Sequence, residues 1–255
     1  AQIPALIQID YRNKTLRRAF SHIALFLLLF LFARPSQAQQ LDSGIWNSFG
    51  LSQNIGDLRI KYELGLRTRY GLSITDRLFH NLNLRYRLHK RINVAVAYRF
   101  GHNEPFLDAR AFHRIALDLQ YNRKLLKGLR FKWRPRLQSR WFAAEPGLPP
   151  LLKHRQKFSL NYKLRKRLYA WTAYEFFIRL NDPEFGTWPE KMRYYLGLDY
   201  EFKKRNKVTV FYLHQREMNQ RAPVYEHILG LEFSHRFKKM KWKKKKKKSG
   251  SKSKD

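Results

Sequence analysis

Over most of residues 44–237 the side chains alternate between apolar and polar with a period of two. In Leu58–Tyr70, Leu58, Ile60, Tyr62, Leu64 and Leu66 share one face, and Arg59, Lys61, Glu63, Gly65, Arg67 and Arg69 share the other. Asn81–Leu88 sets Leu82, Leu84, Tyr86 and Leu88 against Asn81, Asn83, Arg85 and Arg87. Gly128–Trp141 sets Leu129, Phe131, Trp133, Leu137 and Trp141 against Arg130, Lys132, Arg134, Arg136, Gln138 and Arg140. Arg193–Phe202 sets Tyr194, Leu196, Leu198, Tyr200 and Phe202 against Arg193, Tyr195, Gly197, Asp199 and Glu201. A helix turns about 100° per residue and would scatter these sets around its surface, so the pattern predicts strands. Eleven follow: 44–53, 57–70, 77–89, 92–102, 109–122, 128–142, 154–164, 168–180, 191–203, 206–217 and 225–237.

The connections alternate as well. Short basic segments follow the third, fifth, seventh and ninth strands, whereas longer loops with Pro or acidic residues follow the fourth, sixth, eighth and tenth. This predicts consecutive antiparallel hairpins with one tight end and one elaborated end.

Alternation alone does not say whether the apolar face turns to a protein core or to lipid; strand length does. Strands of water-soluble proteins run to about 5–6 residues, whereas a tilted strand crossing a bilayer needs about 9–11. Most runs here reach ten or more, and the other face mixes Arg, Lys, Glu, Asp, Asn and Gly as a wet or ion-paired lumen would. Aromatics near strand ends (Tyr70, Phe79, Phe100, Tyr121, Trp141, Phe202, Phe237) suit interfacial girdles. The expected fold is all-β: an antiparallel, up-and-down transmembrane β-barrel of about 12 strands, within a range of 10–12. Twelve is preferred to eleven because single-chain bacterial barrels have an even number, which leaves both ends of the chain on one side.

The segment before the strands fits that address. Lys14, Arg17 and Arg18 precede the apolar run Ile23–Phe32, and Ser36 and Ala38 supply small residues. This is the layout of a secretory signal, with cleavage expected after Ala38. No apolar run approaches the ~20 residues of a membrane-spanning helix. Cysteine is absent, which removes disulfides and thiolate chemistry. The organisation expected is a signal over 1–38, a barrel over 39–237 and a Lys-rich disordered tail over 238–255. The formal net charge is +34. Five cations and one acid precede Gln39, and eleven lysines and one acid follow Phe237; without them 37 basic residues still face 17 acidic ones. The barrel is basic in its own right.

Three segments carry a family resemblance: "GIWNSFGLS" from Gly44, "AYRFGHNE" with "FHRIALDLQY" in the middle, and "RYYLGLDYEFKKRNKVTVFYLHQRE" with "EHILGLEFSHRF" near the end. They resemble the domain of unknown function 2490 family, which looks like outer-membrane β-barrels of the Bacteroidota type. The resemblance covers nearly all of residues 40–237 and implies fold and address. It brings no catalytic residues.

The most concentrated candidate chemistry is the row Arg130, Lys132, Arg134, Arg136 and Arg140, joined by Arg67, Arg85 and Arg87 on other strands. Cations lining a narrow tube raise the local concentration of anions, and such rings line anion and phosphate pores. The competing structural role is an ion-pair lattice closed by Glu63, Asp118, Glu175, Asp199, Glu201 and Glu232, because long side chains plug a narrow barrel. A lipid hydrolase would need an oriented Ser–His pair. Ser159 and Ser234, with His113, His214, His227 and His235, are the available residues, and nothing in their spacing orients a pair. Neither metal-ligand spacing nor a cofactor motif is present. The function expected is an integral outer-membrane barrel, not an enzyme, with a structural role or a weakly anion-selective passage. The alternatives are an outer-membrane lipid-hydrolysing enzyme and a soluble basic β protein binding polyanions. Expected partners are outer-membrane lipid, small anions or lipopolysaccharide, and the outer-membrane assembly machinery. Nucleic acid is not expected, because secretion separates the chain from it.

Overall fold

The computed structural model describes residues 40–107, 109–145, 147–182, 186–202, 205–218 and 223–240. The expected signal segment and residues 241–255 lie outside the described residues. Eleven strands are present among those described: β1 (Gln40–Ile55), β2 (Leu58–Arg69), β3 (Ile74–Arg87), β4 (Ile92–Asn103), β5 (Arg110–Leu126), β6 (Leu129–Phe142), β7 (Leu151–Arg165), β8 (Leu168–Asp182), β9 (Gly186–Phe202), β10 (Asn206–Glu217) and β11 (Val224–Arg236). Each overlaps one of the eleven alternating runs in the sequence.

Successive strands pair antiparallel, and β1 closes the barrel by pairing parallel with β11, from Gln40↔Val224 to Ser52↔Arg236. Eleven falls within the expected range, but the preference for an even number does not hold for the described residues. Antiparallel closure demands an even count, whereas one parallel seam lets β1 and β11 run in the same direction. Tight turns at 56–57, 88–91, 127–128 and 166–167 form one end, where β9 and β10 also meet near Arg205. The ends of the strands joined by the β2–β3, β4–β5, β6–β7, β8–β9 and β10–β11 connections form the other, called the loop end here. Beyond β11 the chain continues along β1: Phe237 N donates to Ser52 O at 2.8 Å, and Met240 N to Asn54 O at 2.9 Å.

The sidedness follows the alternation. Leu117, Leu196, Leu198 and Leu231 face outward and are 55%, 54%, 49% and 50% exposed. Glu175, Asp118, Arg155 and Arg193 face the axis and are 1%, 5%, 8% and 9% exposed. A barrel folded around a dry apolar core would show the reverse.

The axis is not wholly polar. Ala173, Tyr195, Phe211, Leu213 and Ile228 form a buried cluster inside the barrel, with Trp46 and Trp171 packed against it. Phe79, expected in an outer girdle, also points inward and is 2% exposed. Inward aromatics fit because glycines stand beside them on neighbouring strands. Phe79 lies opposite Gly65 and Gly101, and Phe211 opposite Gly197 and Gly230. A Cβ added at Gly230 would overlap the Phe211 ring, and one at Gly65 would overlap Phe79. The ring lies flat over bare backbone, a device that covers strand glycines elsewhere. Gly230→Val is therefore expected to destabilise the barrel by about 1–3 kcal/mol. Heat-modifiable gel mobility would show the lower unfolding temperature, and adding Phe211→Ala should restore part of it.

Candidate functional site: a divided basic lumen

Mid-barrel, the lumen is crossed by a septum centred on Glu175 of β8. Its carboxylate accepts from Arg155 Nη2 of β7 at 2.7 Å, from the Tyr195 hydroxyl of β9 at 3.0 Å and from Arg134 Nη2 of β6 at 3.4 Å. Arg193 Nη1 of β9 lies 3.8 Å away. Strand register brings these groups together: Glu175 sits opposite Lys157 of β7 on one side and Arg193 of β9 on the other. Beside this centre, Arg136 binds Asp118 with two nitrogens, one at 2.6 Å.

Acids are too few to neutralise the inward cations, and ring faces take up part of the excess. The Arg99 guanidinium lies 3.5 Å over Phe79, and Arg67 lies 3.8 Å over Trp46. Arg155 and Arg193 lie 4.4 and 4.6 Å over Phe177, and Lys157 is 4.0 Å over Tyr195. Such contacts strengthen when shielded from water, reaching about 2 kcal/mol. Salt bridges and cation–π stacks together narrow the cross-section.

The septum leaves a space at each end. Towards the loop end is a small polar cavity of about 130 Å³, bordered by Asp42, Trp46, Asp76, Arg77, Lys191 and Glu226. Towards the tight turns is a larger chamber of about 670 Å³. Its wall includes ten Lys or Arg residues and only two acids, Asp199 and Glu201.

The predicted lumen residues divide among these regions. Arg130, Lys132 and Arg85 line the chamber. Arg134 and Arg136 are tied into the septum, and Arg67 stacks within it. Arg140 lies beyond it, 4.9 Å over Phe142. Arg87, at the tight-turn rim, is 3.8 Å from Asp57 with a 60% exposed side chain. The row on β6 thus shares a face but not an environment. Sequence reasoning did not single out Arg99 or Arg155, placed Arg193 inward without a role, and assigned Phe79, the ring under Arg99, to an outer girdle. Their inward parity was legible, but which ring lies beside which cation depends on inter-strand register.

No hydrolytic pair is assembled from the residues considered. His214 faces outward opposite Tyr194 and His227, whereas Ser234 faces the chamber opposite Lys207. The outward histidines meet tyrosines instead. Tyr62 hydrogen-bonds His80 at 2.6 Å and Tyr98 hydrogen-bonds His113 at 2.7 Å; Tyr212 and His227 make the third such pair. His235 hydrogen-bonds Asn206 at 2.6 Å. Among the described residues no group of three or more metal-binding side chains stands together.

A closed barrel with apolar residues outward and charged residues along its axis has the inverse polarity of a barrel built around a dry core. The chain belongs to the family described as "Protein of unknown function (DUF2490)", whose model matches residues 43–226. Among solved structures it is similar to a "bacterial polysaccharide outer membrane secretin", with 12% identity and a TM-score of 0.45, over 69% of this chain and 63% of that one. It is also similar to a NanC porin, with 12% identity and a TM-score of 0.46, over 68% of this chain and 85% of that one. No curated protein matches it.

Proposed function

We propose that this protein is an integral outer-membrane barrel whose basic lumen holds anions and passes them only weakly, because the septum narrows the path at rest. The observation that carries this reading is the inverted polarity: an outward face of exposed Leu, Val, Tyr and Phe around a charged axis. Strands of 12–17 residues suit a tilted bilayer crossing with margin at both ends. The secretory layout of residues 1–38 supplies the route, and the short turns then lie on the periplasmic side. In this reading the partners are the outer-membrane assembly machinery, outer-membrane lipid including lipopolysaccharide, and small anions entering the lumen. Arg67, Arg85, Arg87, Arg130, Lys132, Arg134, Arg136 and Arg140 supply the positive potential that selects them.

Two measurements test it. On cell fractionation the protein should appear in the outer membrane, and unheated samples should migrate differently from heated ones on gels. In planar bilayers the unitary conductance should be small and favour anions. Arg134→Gln with Arg136→Gln should reduce that preference. A chain found in the soluble fraction without detergent would remove the membrane assignment. A cation-selective channel would remove the anion pathway.

A further inference from the structure

We propose that the tight-turn chamber is a binding site for a compact soluble oligophosphate, an ion carrying two or three linked phosphates. This deepens the anion-holding reading and rests on it for the side from which the ligand arrives. The chamber itself is a property of the folded barrel.

The cations here are arranged differently from those of the septum. Arg59 of β2 sits directly opposite Arg85 of β3, and Lys124 of β5 opposite Arg130 of β6. Like charges placed directly across a strand pair are destabilising. At the septum such crowding is relieved by Glu175, Asp118 and ring faces. In the chamber, Arg59, Arg85, Lys124 and Arg130 meet neither a carboxylate nor a ring face among the described residues. Their closest relief is weak: Arg59 Nη2 reaches Ser52 Oγ at 3.3 Å. Lys132 Nζ reaches Asn161 Oδ1 at 3.3 Å.

Asp199 offers little further help. It is already engaged by Thr209 Oγ1 at 2.6 Å, Lys207 Nζ at 3.1 Å and Trp171 Nε1 at 3.2 Å. The Nε atoms of Arg59 and Arg85 are buried without a hydrogen-bond partner among the described residues; that of Arg155 in the septum is too, but there Nη2 reaches Glu175. A buried donor left unpaired costs about 1–3 kcal/mol. Two such donors, converging with unpaired Lys and Arg side chains, mark a place an anion would complete.

Charge density then selects the class of anion. Lys61 and Lys207 already meet Glu63 and Asp199, and a single carboxylate or orthophosphate would neutralise one or two of the other eight cations. Two or three linked phosphates place several charges within a few ångströms and match both the guanidinium forks and the lysine point charges. The volume of about 670 Å³ lies in the range of ordinary ligand pockets, about 300–1,000 Å³. The septum narrows the inner end, so the tight-turn mouth is the wider way in and out for ligand.

The test is isothermal titration of the full chain, folded in detergent, with tripolyphosphate, orthophosphate and acetate. Tripolyphosphate is expected to bind at least about 100-fold more tightly than orthophosphate, and acetate not measurably, as several charge-assisted bonds replace one. Arg85→Gln with Arg130→Gln should weaken tripolyphosphate at least about tenfold. The charge-matched pair Arg77→Gln with Lys191→Gln, beyond the septum, should change it less than about threefold. Gel mobility verifies that each variant is folded, and Lys132→Gln alone serves as a milder chamber substitution. Equal losses from the two double variants would assign binding to overall charge and overturn the proposal, as would absence of tripolyphosphate binding. Titration in detergent needs neither ion flow nor membrane address. A failure of the conductance test therefore leaves this result standing, and a failure here leaves the conductance reading standing.

Discussion

Glu175→Gln is expected to lower the unfolding free energy of the barrel by about 3–5 kcal/mol. The side chain is 1% exposed and is the shared acceptor of Arg155, Arg134 and the Tyr195 hydroxyl, with Arg193 close by. Glutamine keeps the shape and one acceptor oxygen but removes the charge. Three guanidiniums then remain in a confined space with less to compensate them, and an uncompensated buried charge is the costly outcome of breaking such a pair. The rings of Phe177 and Trp46 still stack on Arg155 and Arg193, which places the effect toward the lower part of that range. Denaturant unfolding in detergent or lipid, followed by tryptophan fluorescence, would measure it. Adding Arg155→Met should recover part of the loss, because the two residues share one ion pair and their effects will not add. The same variant should raise conductance, since the septum loses its central tie. A loss below about 1 kcal/mol would mean that stacking, not the carboxylate, holds the septum.

The second large effect separates a membrane barrel from a soluble one. Leu196 lies on β9 opposite Thr172 of β8 and Tyr212 of β10, between outward Tyr194 and Tyr200. Leu196→Arg would put a charge on the apolar band. In lipid, an arginine near the middle of such a band costs about 2–4 kcal/mol. On a surface facing water, the same substitution at a half-exposed position stays within about 0.5 kcal/mol. Unfolding in lipid vesicles therefore reads the environment directly. A near-zero effect would favour the soluble polyanion-binding alternative.

The all-β class, the run of eleven strands and the side each residue faces were legible because period-two alternation is a local property. Tyr194, Leu196 and Leu198 point outward, and Arg193, Asp199 and Glu201 share the inward face, as the pattern along β9 required. The aromatics were legible only in part. Phe100, Trp141 and Phe202 follow the outward parity expected of a girdle, but Phe79 shares the parity of Asn81 and Arg85 and turns inward to cover Gly65 and Gly101. Its alternation already gave that answer, and grouping it with residues near strand ends obscured it. The seam was missed for a different reason. Nothing in β1 or β11 alone distinguishes a parallel partner from an antiparallel one.

The candidate site was legible as a list of residues and not as a place. Alternation put Arg130, Lys132, Arg134, Arg136 and Arg140 in a single inward row. Register then gave Arg136 to Asp118 and Arg134 to Glu175, and left Arg130 and Lys132 facing an open chamber. The sequence by itself determined which side of each strand faces outward or into the lumen and how basic that lumen is, because both depend only on neighbouring positions and composition. Only the tertiary structure decided the parallel closure, the aromatic and ion-paired septum and the separation of paired from unpaired cations. Those depend on which residues of distant strands stand at the same depth along the axis.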